Sequence, residues 1–142
     1  MAITQAMCSS FKQELLVGTH NFTNSSGNTF KLALYTSSAS LGAATTAYST
    51  SNEASGTAYS AGGNTLTNVT PTLDSTTAIT DFDNTSWNSS TITARGGLIY
   101  NSSASNKAVA VLDFGSDKSS SNGTFSVIFP AAAASTAIIR IA

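Results

Sequence analysis

Apolar and polar side chains alternate along six segments of the chain, and a period of two is the pattern of a β-strand with one buried face. In the first segment, Phe30 and Leu32 face one side while Lys31 faces the other. Ser, Asn, Gly or Pro bound the segments, and these residues are typical of turns. The predicted strands cover residues 29–36, 65–73, 91–100, 107–114, 123–130 and 137–142.

The order of these strands predicts an antiparallel fold. Residues 107–114 are apolar on both faces, which indicates a place in the middle of a sheet. The pair Gly96-Gly97 predicts a bulge or a close approach of two backbones. Ser- and Asn-rich stretches at 101–106 and 115–123 predict two turns between successive strands. The expected fold is mainly β, an antiparallel β-sandwich or jelly-roll-like domain with one N-terminal α-helix.

Helical periodicity is confined to residues 4–17, where Met7, Phe11 and Leu15 recur at every fourth position and form one apolar stripe together with Cys8 and Leu16. Thr4 is the expected N-cap and Gly18 the expected stop. About four turns of helix are not stable alone in water. The stripe is therefore expected to pack on the sheet of its own chain or, as the alternative, on a neighbouring subunit.

The chain divides into an N-terminal amphipathic helix at 1–18 and a single β-sandwich domain at 19–142. A length of 142 residues is sufficient for one hydrophobic core. Residues 37–64 form a long loop-rich segment, and such a segment in a compact domain usually contains short strands or a functional extension. Pro71 is expected to break the strand at 65–73 or to confine it to a sheet edge.

Composition adds a prediction about assembly. Ser and Thr together account for 45 of the 142 residues, whereas charged residues make up only 9%, against about 25% in an average globular protein. A net charge of −1 and a slightly positive mean hydropathy argue against disorder. Because charge normally keeps monomers apart, such a surface favours an assembled protein.

Several classes of protein are disfavoured by the same sequence. The six basic residues are scattered, so no basic stripe is present for nucleic acid. No apolar run approaches the ~20 residues that cross a bilayer, and the N-terminus lacks the pattern of a signal peptide. A single cysteine, Cys8, cannot form an intrachain disulfide. We therefore expect no nucleic-acid partner and no membrane.

Little catalytic chemistry is visible. His20 follows the predicted helix stop among polar residues and is expected in an exposed loop, with no obvious orienting carboxylate. Cys8 is expected to be a small buried apolar residue on the helix. The two residues together supply fewer ligands than zinc generally needs. The residues predict no catalytic site, no cofactor-binding site and no metal site, hence a non-enzymatic protein.

Acidic and aromatic residues leave some alternatives open. Asp81, Asp83 and Asn84 resemble the start of a calcium loop, but the central Gly and the later Glu of an EF-hand are missing. A capped turn is the preferred interpretation, and an irregular calcium site the alternative. The triplet DFG after Val111-Leu112, with Asp113 and Asp117, ends a predicted strand and lacks the other kinase motifs, so it indicates no kinase. Glu14 and Glu53 cannot be paired from the sequence as a glycosidase dyad. The tyrosines are explained equally well as a sugar-binding or interface surface and as packing in the core and at its rim; they are Tyr35, Tyr48, Tyr59 and Tyr100.

A resemblance to a known family extends these predictions. The motifs of this resemblance are FKLALYTSSASLGAATTAYS, EASGTAYSAGGNTLTN, DFDNTSWNSSTITARGGLIYN and KAVAVLDFGSDKSSSNGTFSVIFP. In this order they resemble small virion structural proteins of tailed bacteriophages, of the marine and cyanobacterial phage type. The resemblance covers about residues 29–141 and brings no catalytic residues with it.

This resemblance implies a place in the virion, most simply as a capsid cement or decoration protein that bridges and stabilises subunits of the major capsid protein. The alternative is a tail, neck or fibre component that acts as a receptor- or carbohydrate-binding module. The implied partners are the major capsid protein and copies of the chain itself. By analogy with other capsid cements, a trimer at a local threefold axis is expected. Either the helix or residues 37–64 would make the contact.

Overall fold

The computed structural model describes residues 2–142, which fold into one helix and nine strands. In chain order the elements are β1 Ala6–Met7, α1 Ser9–Leu16, β2 Phe30–Tyr35, β3 Gly56–Thr57, β4 Asn64–Thr65, β5 Asn68–Asp74, β6 Thr77–Phe82, β7 Thr85–Asn101, β8 Lys107–Val127 and β9 Ile139–Ile141.

The strands form two antiparallel sheets. The larger has the order β1-β8-β7-β2-β4, with β3 added to the outer part of β7, and the smaller has the order β5-β6-β9. The predicted fold class is confirmed, since the chain is mainly β, its sheets are antiparallel and one short helix lies near the N-terminus. Pro71 lies in β5, an edge strand whose register shifts between Val69 and Thr72, as its position predicted.

A long hairpin of β7 and β8 forms the centre of the larger sheet. The predicted turn at 101–106 joins the two strands, and β8 is buried on both faces from Ala108 to Val111. The second predicted turn, at 115–123, is wrong because β8 continues through it to Val127 as a partner of β7. The register between β7 and β8 is irregular where these turn-forming residues lie. The register also shifts next to Gly96, where a bulge was expected.

The helix is shorter than its periodicity predicts. Residues 4–8 are not helical, because Thr4 N donates to Leu41 O and Met7 pairs with Ala110 in the larger sheet. The helix therefore begins after Cys8 rather than at Thr4. Gly18 is the helix stop as predicted, with a positive φ of 76°.

The helix packs on its own sheet, as the first alternative predicted. Phe11 is fully buried in the core, but Leu16 is 89% exposed, so it lies outside the stripe in which it was expected. Phe22 and Phe30 stack at a centroid distance of 4.3 Å, and Phe82 on β6 contacts both rings. Because the aromatic cluster draws on both sheets, one core holds the domain together.

Residues 37–64 contain short strands, which was one of the two forms expected for this segment. Short bridges fix it at Leu41 to Ile3 and at Glu53 to Tyr35, and β3 and β4 add to the larger sheet. The segment therefore lies against the domain along its length.

Candidate interaction surface

His20, expected in an exposed loop, is instead buried between α1 and β7, and its side chain is fully enclosed. Its Nε2 lies 2.9 Å from Glu14 Oε1, and Asn101 Nδ2 lies 3.0 Å from its Nδ1. Because Asn101 donates to Nδ1, the ring proton is on Nε2 and is donated to Glu14. Glu14 is thus the orienting carboxylate that the sequence did not reveal, and neither ring nitrogen is left for a substrate.

Cys8 is buried, as predicted, but it precedes the helix rather than lying on it. Burial and, less strongly, the charge of Glu14 raise the pKa of Cys8 to about 11. Since the thiolate is the nucleophile that attacks a thiol reagent, we expect no labelling of the native protein and complete labelling after unfolding in denaturant. The measurement is the thiol-labelling stoichiometry by mass spectrometry.

A control for this labelling experiment is Ser121→Cys, which places a second thiol at an exposed position of β8. We expect the native variant to label once and the unfolded variant twice. Rapid stoichiometric labelling of the native wild-type chain would contradict the burial of Cys8.

Glu53 organises the tyrosines of the 37–64 segment. Its carboxylate accepts hydrogen bonds from the hydroxyl of Tyr48 at 2.7 Å, the hydroxyl of Tyr59 at 2.6 Å and the backbone amide of Gly62 at 2.7 Å. Tyr59 also accepts a bond from the Leu34 amide of β2. The segment is therefore held to the sheet by a polar cluster centred on a single carboxylate.

The other two tyrosines are buried in the same region. Tyr35 donates to Ser49 O at 2.6 Å and Tyr100 donates to Gly62 O at 2.7 Å. Tyr48 stacks on Tyr100 with a centroid distance of 4.6 Å. All four tyrosine hydroxyls therefore have partners inside the chain, with Tyr35 and Tyr100 in the core and Tyr48 and Tyr59 at its rim, so packing rather than a free tyrosine surface is the alternative that the structure shows.

The acidic residues considered in the sequence analysis lie in separate hydrogen-bonded clusters. Glu14 belongs to the histidine cluster and Glu53 to the tyrosine cluster, while Asp113 accepts from Arg95 Nε at 3.3 Å. Asp81 is buried and accepts from the amide of Phe82. Within residues 2–142, no group of three or more His, Cys, Asp or Glu side chains is placed to hold a metal ion.

Large apolar side chains are exposed around one groove. The groove has a volume of about 260 Å³ and lies between the C-terminal end of α1 and the smaller sheet. Leu15 forms one wall, with Leu16 and Val17 beyond it at 89% and 72% exposure. On the sheet, Leu73, Ala78 and Ile141 are cross-strand partners in one row, so their side chains share a face.

We define the apolar surface as Leu15, Leu16, Val17, Leu73 and Ile141 together with the groove. Leu73 is 74% exposed and Ile141 56% exposed, so four of the five large apolar side chains exposed between residues 2 and 142 lie on it. The fifth, Ile128, lies elsewhere on the molecule. A concentration of this kind is typical of a binding surface, whereas isolated exposed leucines need no explanation.

Sequence reasoning did not find this surface. Helical periodicity places Leu16 in the apolar stripe, and the alternation of 137–142 puts Ile141 on the same face of its strand as Ile139, which is buried. The available signal was the position of Leu73 and Ile141 in short strands near sheet edges, where one face is easily left uncovered.

Comparison of the chain with protein-family models, with curated proteins and with solved structures finds no match. Across residues 2–142, no helix is long and apolar enough to span a membrane.

Proposed function

We propose that the protein is a non-enzymatic structural component of a phage virion, a capsid cement or decoration protein that bridges subunits of the major capsid protein. The observation that carries the proposal is the apolar surface, where four large side chains are more than half exposed and one of them, Ile141, lines the groove together with Leu15. Leaving them in water would be unfavourable by about 1.5–3 kcal/mol for each large side chain relative to burial. A permanent partner removes that cost.

The occupant that we propose for the groove is an apolar segment of a capsid subunit. The low proportion of charged residues supports this choice, because the cores of stable interfaces are depleted in charge. In this proposal Leu15 and Leu16 of the helix, with Val17 directly after it, make the contact, which is one of the two alternatives expected from the sequence. Residues 37–64 are instead held against their own sheet by the Glu53 cluster.

The direct test is cryo-electron microscopy of the assembled virion, with a search for density that fits this chain. Copies repeated across the capsid lattice, with the apolar surface facing a capsid subunit, are the expected result. Copies confined to the tail or neck, or a capsid contact made by another face, would overturn the proposal.

A binding experiment with variants tests the same surface. Leu16→Ser and Leu73→Ser each remove one exposed apolar side chain, and Ile128→Ser is the matched control, since Ile128 is 70% exposed outside the surface. We expect the first two to weaken co-sedimentation with capsids lacking this protein at least about tenfold, which corresponds to 1.4 kcal/mol. The control variant should bind as the wild type does. Equal losses in all three variants would count against the apolar surface.

A second candidate function is a carbohydrate-binding module of a tail, neck or fibre. A cavity of about 520 Å³ beside β8 favours it, because half-buried Phe114 and polar groups from Gln5 and Ser119 line the cavity. Aromatic faces combined with a few polar groups are common in ligand sites. Tail-associated density in the same cryo-electron microscopy experiment would favour this candidate over a capsid cement.

A further inference from the structure

Asp81 on β6 carries a buried carboxylate with an unsatisfied oxygen. The residue is 1% exposed, and its Oδ1 accepts a hydrogen bond from the Phe82 amide at 2.8 Å. Its Oδ2 is buried and makes no hydrogen bond of good geometry, although the Ile138 amide is close enough to the carboxylate to lower its pKa. Burial of a carboxylate oxygen without a full hydrogen bond costs free energy of folding, and a bound proton, water molecule or cation would lower that cost.

A second carboxylate lies two residues further along the chain, at Asp83. Alternate residues of an extended segment point to the same side, and Asp81, Asp83 and Asn84 line one cavity of about 250 Å³. No Lys or Arg lines this cavity, and across residues 2–142 neither aspartate takes part in an ion pair. Two carboxylates therefore share one depression without a compensating positive charge.

The electrostatics of the two groups agree with this geometry. Burial raises the pKa of Asp81, and the charge of Asp83 raises it further, against the opposing effect of the Phe82 and Ile138 amides. An opposite charge within a few ångströms would remove both penalties, because it would replace the lost hydration of Asp81 and screen its repulsion from Asp83.

The remaining ligand chemistry is that of oxygen. Asn84 Oδ1 accepts the amide hydrogen of Phe129 at 2.7 Å, and its second lone pair remains available. No sulfur or imidazole lines the cavity. Carboxylate and amide oxygens with waters in an open, irregular site suit Ca²⁺, which accepts 6–8 oxygen ligands with flexible geometry, better than Mg²⁺, which demands an octahedron.

We propose that Asp81, Asp83 and Asn84 form a weak calcium site that closes the junction between β6, β7 and the segment after β8. With only two carboxylates, its dissociation constant is expected in the range of about 10⁻⁴–10⁻³ M. The ion would tie the end of β6 to the Phe129 backbone through Asn84. This is the irregular calcium site left open as an alternative by the sequence.

The test uses the purified full chain, stripped with a chelator, in thermal unfolding with and without 10 mM CaCl₂ (about tenfold above the weaker end of that range). We expect Ca²⁺ to raise the melting temperature of the wild-type chain by about 3–5 °C and Mg²⁺ to raise it less. Isothermal titration calorimetry of the stripped chain with CaCl₂ measures the affinity directly.

Variants distinguish this site from a general effect of salt. Asp81→Asn keeps the acceptor for the Phe82 amide and removes the charge, so it should fold and show no calcium response. Asp83→Asn changes an exposed residue and carries the same test if Asp81→Asn does not fold. Asp117→Asn, an exposed carboxylate outside the cavity, is the matched control and should respond as the wild type does. No calcium shift in the wild-type chain, or an equal shift in Asp83→Asn, would overturn the proposal.

Discussion

Alkaline pH is expected to unfold the protein cooperatively, with stability falling from about pH 10 upward. The chain contains four tyrosines, and the pKa of each is raised in the folded protein, chiefly by burial. For Tyr48 and Tyr59, the hydrogen bond to the Glu53 carboxylate opposes ionisation further. Loss of one phenolic proton would place a second negative charge against Glu53.

The direction of this pH effect follows from comparing tyrosine ionisation in the folded and the unfolded chain. An unfolded tyrosine ionises near its ordinary pKa of 10.0, whereas burial raises the pKa of Tyr100 to about 12. Between pH 10 and about pH 12 the unfolded chain releases phenolic protons that the folded chain retains. The stability that the buried, protonated tyrosine contributes is therefore complete below pH 10 and is lost as the pH rises. Each such tyrosine lowers the free energy of unfolding by about 1.4 kcal/mol per pH unit.

Tyr35 and Tyr100, which are 1% and 2% exposed, set a lower limit on the loss of free energy of unfolding with rising pH. Together they remove nearly 3 kcal/mol per pH unit above pH 10, a large part of the 5–15 kcal/mol typical of a domain. The measurement is parallel titration of the tyrosinate absorbance and the far-ultraviolet circular dichroism. Both signals should change in one transition.

The matched variant for this titration is Tyr100→Phe, which removes one phenol and keeps the stacked ring. The free energy of unfolding of this variant should fall less steeply with pH, because three tyrosines instead of four release a proton on unfolding. Tyrosinate absorbance that rises around pH 10 while the circular dichroism stays native would show that the hydroxyls are accessible and would contradict the Glu53 cluster.

Those elements that depend on local alternation were predictable from the sequence. The segment 29–36 was expected as a strand, and β2 occupies Phe30–Tyr35. The interval 101–106 was expected as a turn and joins β7 to β8. In each case the pattern of side chains and the turn residues indicated the same structure, so no distant contact was needed to decide it.

The predicted turn at 115–123 failed because Ser, Asn and Gly also occur in strands whose partner offers hydroxyl groups. Ser119 lies opposite Thr93, with 2.8 Å between their hydroxyl oxygens, and the hydroxyl oxygen of Ser120 lies 2.8 Å from that of Ser90. These cross-strand bonds stabilise β8 against the turn tendency of its sequence. Which partner faces a strand is decided by tertiary structure, so composition alone could not show it.

The candidate sites were less predictable than the fold, for the same reason. His20 is buried because residues far away in the chain, Asn101 among them, surround it. Asp81 was noticed in the sequence, but its burial and its unpartnered oxygen depend on how β6 packs. The apolar surface requires the register of β5, β6 and β9, which brings Leu73 and Ile141 to opposite sides of Ala78.

A pair of glycine substitutions is expected to show how tightly residues 60–63 are held against β2. Gly63 and Gly18 both have a φ of 76°, in the left-handed region that other residues enter at a cost. A Cβ on Gly18 would meet no atom within 4 Å. A Cβ on Gly63 would overlap the backbone carbonyl of Leu32, and it would lie 2.8 Å from the Cα of Ala33.

Gly18→Ala should therefore cost only the left-handed conformation, about 1–2 kcal/mol. Gly63→Ala adds a clash with backbone atoms of a strand that cannot retreat, because β2 is paired with β7 on its other side. We expect a loss above about 4 kcal/mol, or failure to fold. The measurement is the free energy of unfolding of each variant by urea denaturation, with the wild-type chain alongside.

The two outcomes distinguish the cost of the left-handed backbone conformation from the cost of the clash between residue 63 and β2. A similar loss in both variants would mean that residues 60–63 can move away from β2 at little cost, and the Glu53 cluster would then be a mobile feature of the surface. A much larger loss for Gly63→Ala would mean that the backbone of this segment is as fixed as a core strand. In that case Gly62, which donates to Glu53 and accepts from Tyr100, is held in place by its neighbour.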